Sequence, residues 1–511
     1  MNTFKKKSLY LAVAGVSALG AGSASAVSLN ADGLGQVLIY PYYTVRESSP
    51  GNAYNSLLSV VNSTGSAKAV KVRFLEGKNS REVLDFNLYM SPKDVWVAAV
   101  IPTADGAGIV TPDNSCTDGE VSQDESNPTP FVNYAYTGDF DDPANDDLDR
   151  TREGYVEIIE MGTMYGYSAY VATHVNGVPR DCDYLRKRFS NGTVFAAYQV
   201  ASLTGGLFGT MTLINVSTGM DFGYDATALA NFHAYNNIFY NPGDIRPNFF
   251  DADPVSLVVQ NDLNFGQAAA FVTQWNVPGA VNLGGNTPVD AVSAVLMHDN
   301  IYNDFVLDKG TASGTDWVVT LPTKGVPFAY YNSWGVSGQD KSIRVWKLFQ
   351  RNFASTGACD DIGFTKYDRE EKVVRTSTSF SPPPPTKTDS ICWEANVITF
   401  NSSNVLASKN VLNASTTFEH GWAAMTFYPM PTGATAIPAM TLVHRLGGSS
   451  TTTINLANGS TGWYPYMTYY GLPVVGFSAI TYSNGDVGGA LSNYGGNFNH
   501  KSTRWVNPGN P

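Results

Sequence analysis

The sequence predicts an all-β protein: two or more Ig-like β-sandwich domains with long loops, stapled by disulfides. Three observations carry that prediction. Apolar and polar residues alternate with a period of two along several segments. Turn formers punctuate those segments. Sustained 3.6-residue periodicity is rare beyond the first residues.

The elements follow in chain order. Lys5-Lys6-Lys7, the apolar run from Leu9 to Leu19 and the small residues Ala24-Ser25-Ala26 stand in the order of a secretory signal. Its apolar part is too short to stay as a membrane span. Residues 1–26 therefore read as a signal peptide, and the mature chain as starting at Val27. No Cys stands at the cleavage point to carry a lipid. From 27 to 110 the chain reads as one Ig-sized sandwich. Val70, Val72 and Phe74 alternate there with Lys71 and Arg73. Leu84, Phe86, Leu88 and Met90 alternate with Asp85, Asn87 and Tyr89. Each pattern predicts one apolar face and one wet face. Ser91-Pro92-Lys93-Asp94 predicts a turn, after which Val95 to Ile101 resumes the strand pattern.

Residues 111–200 read as an acidic, disulfide-bearing excursion with returning strands, notably Gly154 to Met161. Asp183 to Phe189 has the pattern of two helical turns. Residues 201–380 form a central β-rich domain and 387–511 a C-terminal one. Pro382 to Pro385 make 381–386 a stiff polyproline segment between them. A motif recurs: an apolar strand ends in Asn and then Ser or Thr, at Leu58–Gly65, Thr212–Gly219 and, more loosely, Ile398–Asn404. This is hairpin chemistry, and it marks either equivalent edges of repeated units or independent use of good turn residues.

Cys116, Cys182, Cys359 and Cys392 are an even set in an exported chain, so two disulfides are expected. Three connectivities are open. Pairing sequence neighbours, Cys116–Cys182 and Cys359–Cys392, is the simplest, each worth about 4 kcal/mol in the chain-entropy account. Zinc fails on spacing, since no CxxC accompanies these residues.

Charge sets further bounds. The net charge is −12, and loss of the signal removes three lysines. That balance offers no footprint for nucleic acid. Charged residues make up only 15% of the chain, against roughly 25% in ordinary domains. Neutral polar surfaces of this kind suit packing against neighbours or sugars, as well as β-structure generally. No later apolar run reaches the roughly 18 residues of a transmembrane helix. A transmembrane β-barrel would ordinarily close on an amphipathic strand, and the chain ends instead on a polar, turn-rich tail.

Chemistry-bearing constellations are few. Asp139, Asp141, Asp142, Asn145, Asp146, Asp147 and Asp149 crowd one short stretch. Calcium favours such an oxygen set on a flexible loop, although Pro143 breaks the EF-hand pattern. A solvated acidic loop is the competing reading. Calcium is the one cofactor the sequence admits. The six histidines have no HExxH or paired spacing. Gly166-Tyr-Ser168-Ala-Tyr170 lacks the last Gly of a nucleophile elbow. Glu157 and Glu160 would point to opposite faces of a strand, which argues against joint glycosidase work. Aromatic clusters at Tyr40, Tyr42 and Tyr43, at Phe328 to Trp334, and at Trp463, Tyr464 and Tyr466 would stack on sugars if exposed and fill cores if buried. The first and last, beside proline breaks, are the candidate binding sets.

Leu34 to Tyr43 with the Val70–Trp96 strand pair, and Tyr470 to Ile480 with Asn493 to His500, resemble a loosely defined group of exported proteobacterial proteins called cell surface proteins. The resemblance implies a location and no catalytic residues. The expectation is thus a secreted, non-enzymatic structural protein of the bacterial cell surface or exterior, with the periplasm as the other compartment. Its partners would be copies of itself. A glycan-binding adhesin using exposed aromatics is the alternative, and a secreted polysaccharide hydrolase the third reading.

Overall fold

The computed structural model describes residues 26–189, 199–262, 267–275, 288–325, 348–349, 353–371, 389–427, 444–455 and 460–508. The signal up to Ser25, the polyproline segment and the Phe328–Trp334 cluster lie outside them. The all-β prediction holds: antiparallel sheets dominate, with a few short helices.

The first sandwich uses β1 (Val37–Thr44), β2 (Asn55–Asn62), β3 (Ala67–Glu76), β4 (Glu82–Met90), β5 (Val95–Pro102), β6 (Glu153–Met164), β7 (Leu207–Asn215) and β8 (Met220–Asp225). One sheet has β1-β6-β3-β4 at its centre. The other runs β8-β7-β2-β5 and ends in two short strands. Between them lie Leu38, Val72, Phe86 and Ile158 from one side and Leu58, Val60, Trp96 and Met211 from the other. The Ig-sized unit expected for 27–110 is therefore incomplete. β6 inserts between β1 and β3, and β7 with β8 extends the second sheet. The chain leaves after β5 and returns only at Glu153, so composition shifts marked an excursion and not a boundary.

The remaining described residues form a two-stranded sheet, Met297–His298 with Leu472–Pro473, and three five-stranded ones. Their main strands are β9 (Val255–Asp262), β10 (Gln267–Gln274), β11 (Asn300–Val306), β12 (Gly314–Thr320), β13 (Asp360–Asp368), β14 (Ala395–Phe400), β15 (His420–Thr426), β16 (Arg445–Asn455), β17 (Thr461–Tyr470), β18 (Val475–Val487) and β19 (Ala490–Asn499). Their groupings are β9-β10-β16-β17, β13-β15-β11 and β14-β12-β18-β19, each completed by short strands. In the last sheet β12 and β14 are buried on both faces. Val318, Val397 and Phe477 join the core of the first sandwich, and Trp317, Val319 and Ile398 join the second core. Both faces of β12 and β14 are apolar for that reason. β1 is likewise covered on both sides, with Val37 and Ile39 in the second core. Pro41 fits in β1 because the ladder to β6 is irregular there, between Gly154 and Val156, so no donor is missed. A side chain on Gly154 would meet the Leu75 carbonyl, 2.0 Å from where its Cβ would sit.

The expected turn at Ser91–Asp94 forms, with Lys93 at φ 60° and the Asp94 carboxylate accepting from the Ser91 amide. It carries the chain between sheets. Of the three Asn-terminated strands only Asn215 closes a hairpin, β7 to β8. Asn62 ends a strand whose successor lies in the other sheet, and β14 pairs in parallel with Val411–Ala414. The shared motif is turn chemistry used in three different connections. The helical turns predicted for Asp183–Phe189 appear as α2 (Cys182–Phe189), beside α1 (Gly166–Ala172). Both disulfides form with the simplest pairing, Cys116–Cys182 and Cys359–Cys392. Such bonds belong to an oxidising compartment.

The faces predicted to be wet on β3 are not wet. Lys68, Lys71 and Arg73 are buried. The neighbouring strands and the segment around Asn241 cover them, and Lys71 donates to the Asn241 carbonyl. Buried cations persist only when paired. Lys68 meets Glu160 at 2.6 Å, Lys71 meets Asp85, and Arg73 meets both Glu82 and Glu157. Burial pushes the Glu157 carboxyl up to about 7, against the pull of Arg73.

The seam between the two halves is buried and largely apolar, with polar groups at a few points. Residues 401–410, linking β14 to Val411–Ala414, cross onto the first sandwich. The buried Glu153 carboxylate accepts from Tyr42 Oη, Arg46 Nε, Ser408 Oγ and the Lys409 amide, at 2.6–3.0 Å. On the other side of the loop, buried Asp316 accepts from the Leu406 amide and Ser403 Oγ. Tyr54 Oη donates to Val405 O, and Thr320 Oγ1 to Pro41 O.

Two outcomes follow from this seam. Glu153→Ala strands the Arg46, Tyr42 and Lys409 donors, and should lower unfolding free energy by about 3–5 kcal/mol in urea titrations. Burial raises the Asp316 carboxyl to about 6. Its folded pKa exceeds the unfolded value, so its contribution is complete below about pH 4 and lost as pH rises through 6. Between pH 4 and 7 the native protein should lose about 3 kcal/mol relative to Asp316→Asn, measured by the same titrations.

Candidate interaction surfaces

The acidic stretch does not gather its carboxylates around a common point. It folds as two short 3₁₀ turns, Gly138–Phe140 and Leu148–Arg152, joined by an exposed bend. Asp142 is buried and held bidentately by Arg150, at 2.9 and 3.0 Å. Arg150 also meets Glu76 and stacks on the Tyr136 ring, 4.0 Å from its centroid. Asp149 is met by Arg46, Arg152 and Lys409; against the opposing effect of its burial, Arg46 and Lys409 hold its carboxyl down at about 2. Asn145 accepts from Lys78 and donates to Asp147. Asp139, Asp141, Asp146 and Asp147 face solvent. Arg150 and Arg152 of the loop itself balance part of this charge, and Arg46, Lys78 and Lys409 come from distant parts of the chain, which local composition does not reveal. Among the described residues, no group of three or more His, Cys, Asp or Glu is placed to hold a metal ion.

The first aromatic set is also relocated. Tyr40, Tyr42 and Tyr43 are fully buried and unavailable to a sugar. Their hydroxyls donate to Ser59 O, Glu153 Oε2 and Thr151 O. They were expected at an exposed strand end; instead β1 is a central strand. Trp463 is 67% exposed and Tyr464 36%. Successive residues on β17, they point to opposite sides of their sheet and form no joint platform. The Tyr466 side chain lies outside the described residues. Glu157 and Glu160 pair with different cations, as their spacing implies.

Two surfaces stand out that sequence reasoning passed over. The first is the outer face of β7-β2-β5. Phe208, Val61 and Val95 form one row across it, Thr210, Ser59 and Val97 the next, and Thr212, Leu57 and Ala99 a third. Leu57, Val95, Val97 and Phe208 are 37–47% exposed. No outward position on these strands is charged. The signal was present: on β2 and β5 the residues between the core positions are themselves mostly apolar.

The second is the outer face of β13-β15-β11. Its register brings Tyr367, Trp422 and Asp304 into one row, Thr365, Ala424 and Tyr302 into the next, and Gly363, Thr426 and Asn300 into a third. Trp422 is 41% exposed and stacks on Tyr367, centroids 4.2 Å apart and planes within 11°. Tyr302 stands on its other side at 6.4 Å. These rings come from three separated segments, so no local cluster announced them.

No protein family, curated protein or solved structure matches this chain. Function must therefore be argued from these surfaces. Among the described residues no helix is long and apolar enough to cross a membrane.

The acidic loop makes a direct test possible. Asp142→Asn leaves Arg150 buried with Glu76 alone. It should lower the melting temperature by several degrees, equally in calcium and in EGTA. A loss confined to calcium-loaded protein would show that an ion holds the loop.

Proposed function

We propose that this chain is an exported, non-enzymatic component of the bacterial exterior that associates with copies of itself through the outer face of β7-β2-β5. One observation carries the reading: across β7-β2-β5 that face holds apolar and hydroxyl side chains with no charge, Asp221 and Asp225 of β8 standing at its margin, on a chain whose net charge is −12. Two such chains repel each other over most of their surface. They approach at least electrostatic cost where neither presents a carboxylate, and burial of Leu57, Val95, Val97 and Phe208 supplies the gain. The disulfides and the secretory signal support the location. The resemblance to exported cell surface proteins agrees with it.

Strand edges support association by face over association by edge. Several sheets end in strands of two to four residues, such as Thr129–Pro130, Cys116–Asp118 and Lys501–Thr503. Short terminal strands blunt edge-to-edge pairing.

Mass photometry and light scattering of the mature protein should show a concentration-dependent oligomer. Val97→Asp and Leu57→Lys place charge on the exposed face and should weaken it by about tenfold or more in Kd without lowering thermal stability. A native protein that stays monomeric at every concentration sinks the proposal.

A further inference from the structure

We infer that the outer face of β13-β15-β11 is a binding site for a neutral oligosaccharide. The inference does not rest on the assembly reading, since it concerns another sheet in the other half of the molecule.

The face combines two kinds of group that a pyranose ring requires together. Tyr367, Trp422 and Tyr302 supply an aromatic ladder for the ring's C–H face. Beside it runs a chain of hydrogen-bonding groups held at Asn300, whose Nδ2 also donates to the Asp299 carboxylate at 2.8 Å. Thr426 Oγ1 donates to Asn300 Oδ1 at 2.6 Å, Asn300 Nδ2 reaches Thr503 Oγ1 at 3.3 Å, and Thr503 lies 3.5 Å from the Tyr302 hydroxyl. This chain fixes the orientation of amide and hydroxyl groups before any ligand arrives, which reduces the ordering cost of binding. Both belong to strands whose opposite faces, through Ile301, Phe305 and Met425, are locked in the core.

The relief of the surface fits as well. Ala424 is the central position of the grid, opposite Tyr302 on one side and Thr365 on the other, with Gly363 in the next row. Small side chains at the centre leave a shallow dip walled by Trp422 and Tyr302. Charge is sparse: Asp304 stands in the first row, Asp299 meets Asn300, and Lys501 lies opposite Tyr302. A polyanion would find no cationic cluster there. The aliphatic side chains that mark the β7-β2-β5 face as a protein contact are missing from this grid.

The test uses cellohexaose, chitohexaose and maltohexaose against the mature protein, followed by tryptophan fluorescence and titration calorimetry. At least one should bind saturably. Trp422→Ala removes the stacking ring, and Ala424→Arg fills the dip while leaving every ring in place. Each should weaken binding about tenfold or more, while Trp463→Ala should bind as the native protein does. Cooperative thermal melts show whether the variants are folded. The inference fails if none of the three sugars binds, or if binding survives both Trp422→Ala and Ala424→Arg. It also fails if those two variants change the oligomeric mass, because the face is then a contact between copies.

Discussion

The buried Glu153 carboxylate is the interaction on which the arrangement of the two halves depends. It sits at the start of β6, the strand that completes the first sandwich, and it accepts hydrogen bonds from β1, from Arg46 and from the 401–410 loop of the second half. A carboxylate taken out of water is costly unless every lone pair is met. Here the donors come from segments more than 250 residues apart in sequence. Separating the halves would leave the anion half satisfied. The same loop passes Asn401, Ser402, Asn404 and Ala407 through positive φ, and Ala407 has no polar side-chain group to compensate. The loop holds this shape because Glu153 on one side and Asp316 on the other take its amides. Specificity of docking thus lies in a few polar groups within a largely apolar junction.

That arrangement explains which parts of the fold could be read in advance. Alternation along a strand reports that its two faces differ, and it identified β3, β4 and β5 and the turn at Ser91–Asp94. It does not report what covers the second face. Lys71 and Arg73 looked solvated and are buried, because Asp85, Glu82 and Glu157 stand beside them on neighbouring strands. Tyr40 to Tyr43 looked like an exposed strand end because Pro41 usually marks one; a ladder irregularity removed the need for its missing donor. Asp142 looked like a cation ligand until Arg150 was seen to fold back on it. The cysteine pairing was legible because each pair brackets one excursion. In each misreading the deciding partner stands outside the local pattern, eight or nine residues away for Asp142 and for the Arg73–Glu82 pair and much further for Glu157.

The same reasoning bears on the low fraction of charged residues. Much of the charge this chain carries is spent inside it, in Lys68–Glu160, Arg73–Glu157, Arg150–Glu76 and Lys324–Asp360. These pairs specify which strands lie side by side, since a slipped register would bury a lone ion. The solvent-facing sheets are left with hydroxyls, amides, aliphatics and rings. A surface built that way meets little electrostatic resistance to close contact.

What separates the two exposed faces is side-chain chemistry. The β7-β2-β5 face offers Leu57, Val61, Val95, Val97 and Phe208 among a few hydroxyls, apolar groups that gain by excluding water and place no demand on orientation. The β13-β15-β11 face offers stacked rings beside fixed amide and hydroxyl groups, an arrangement that rewards a ligand with both a C–H face and hydroxyls. Each face is the reverse side of a sheet whose inner residues are locked in a core, so each is presented by a rigid backbone. The two surfaces lie on different sheets and draw on no common residue. Occupation of one therefore leaves the groups of the other in place, so the two proposed uses do not compete for the same residues.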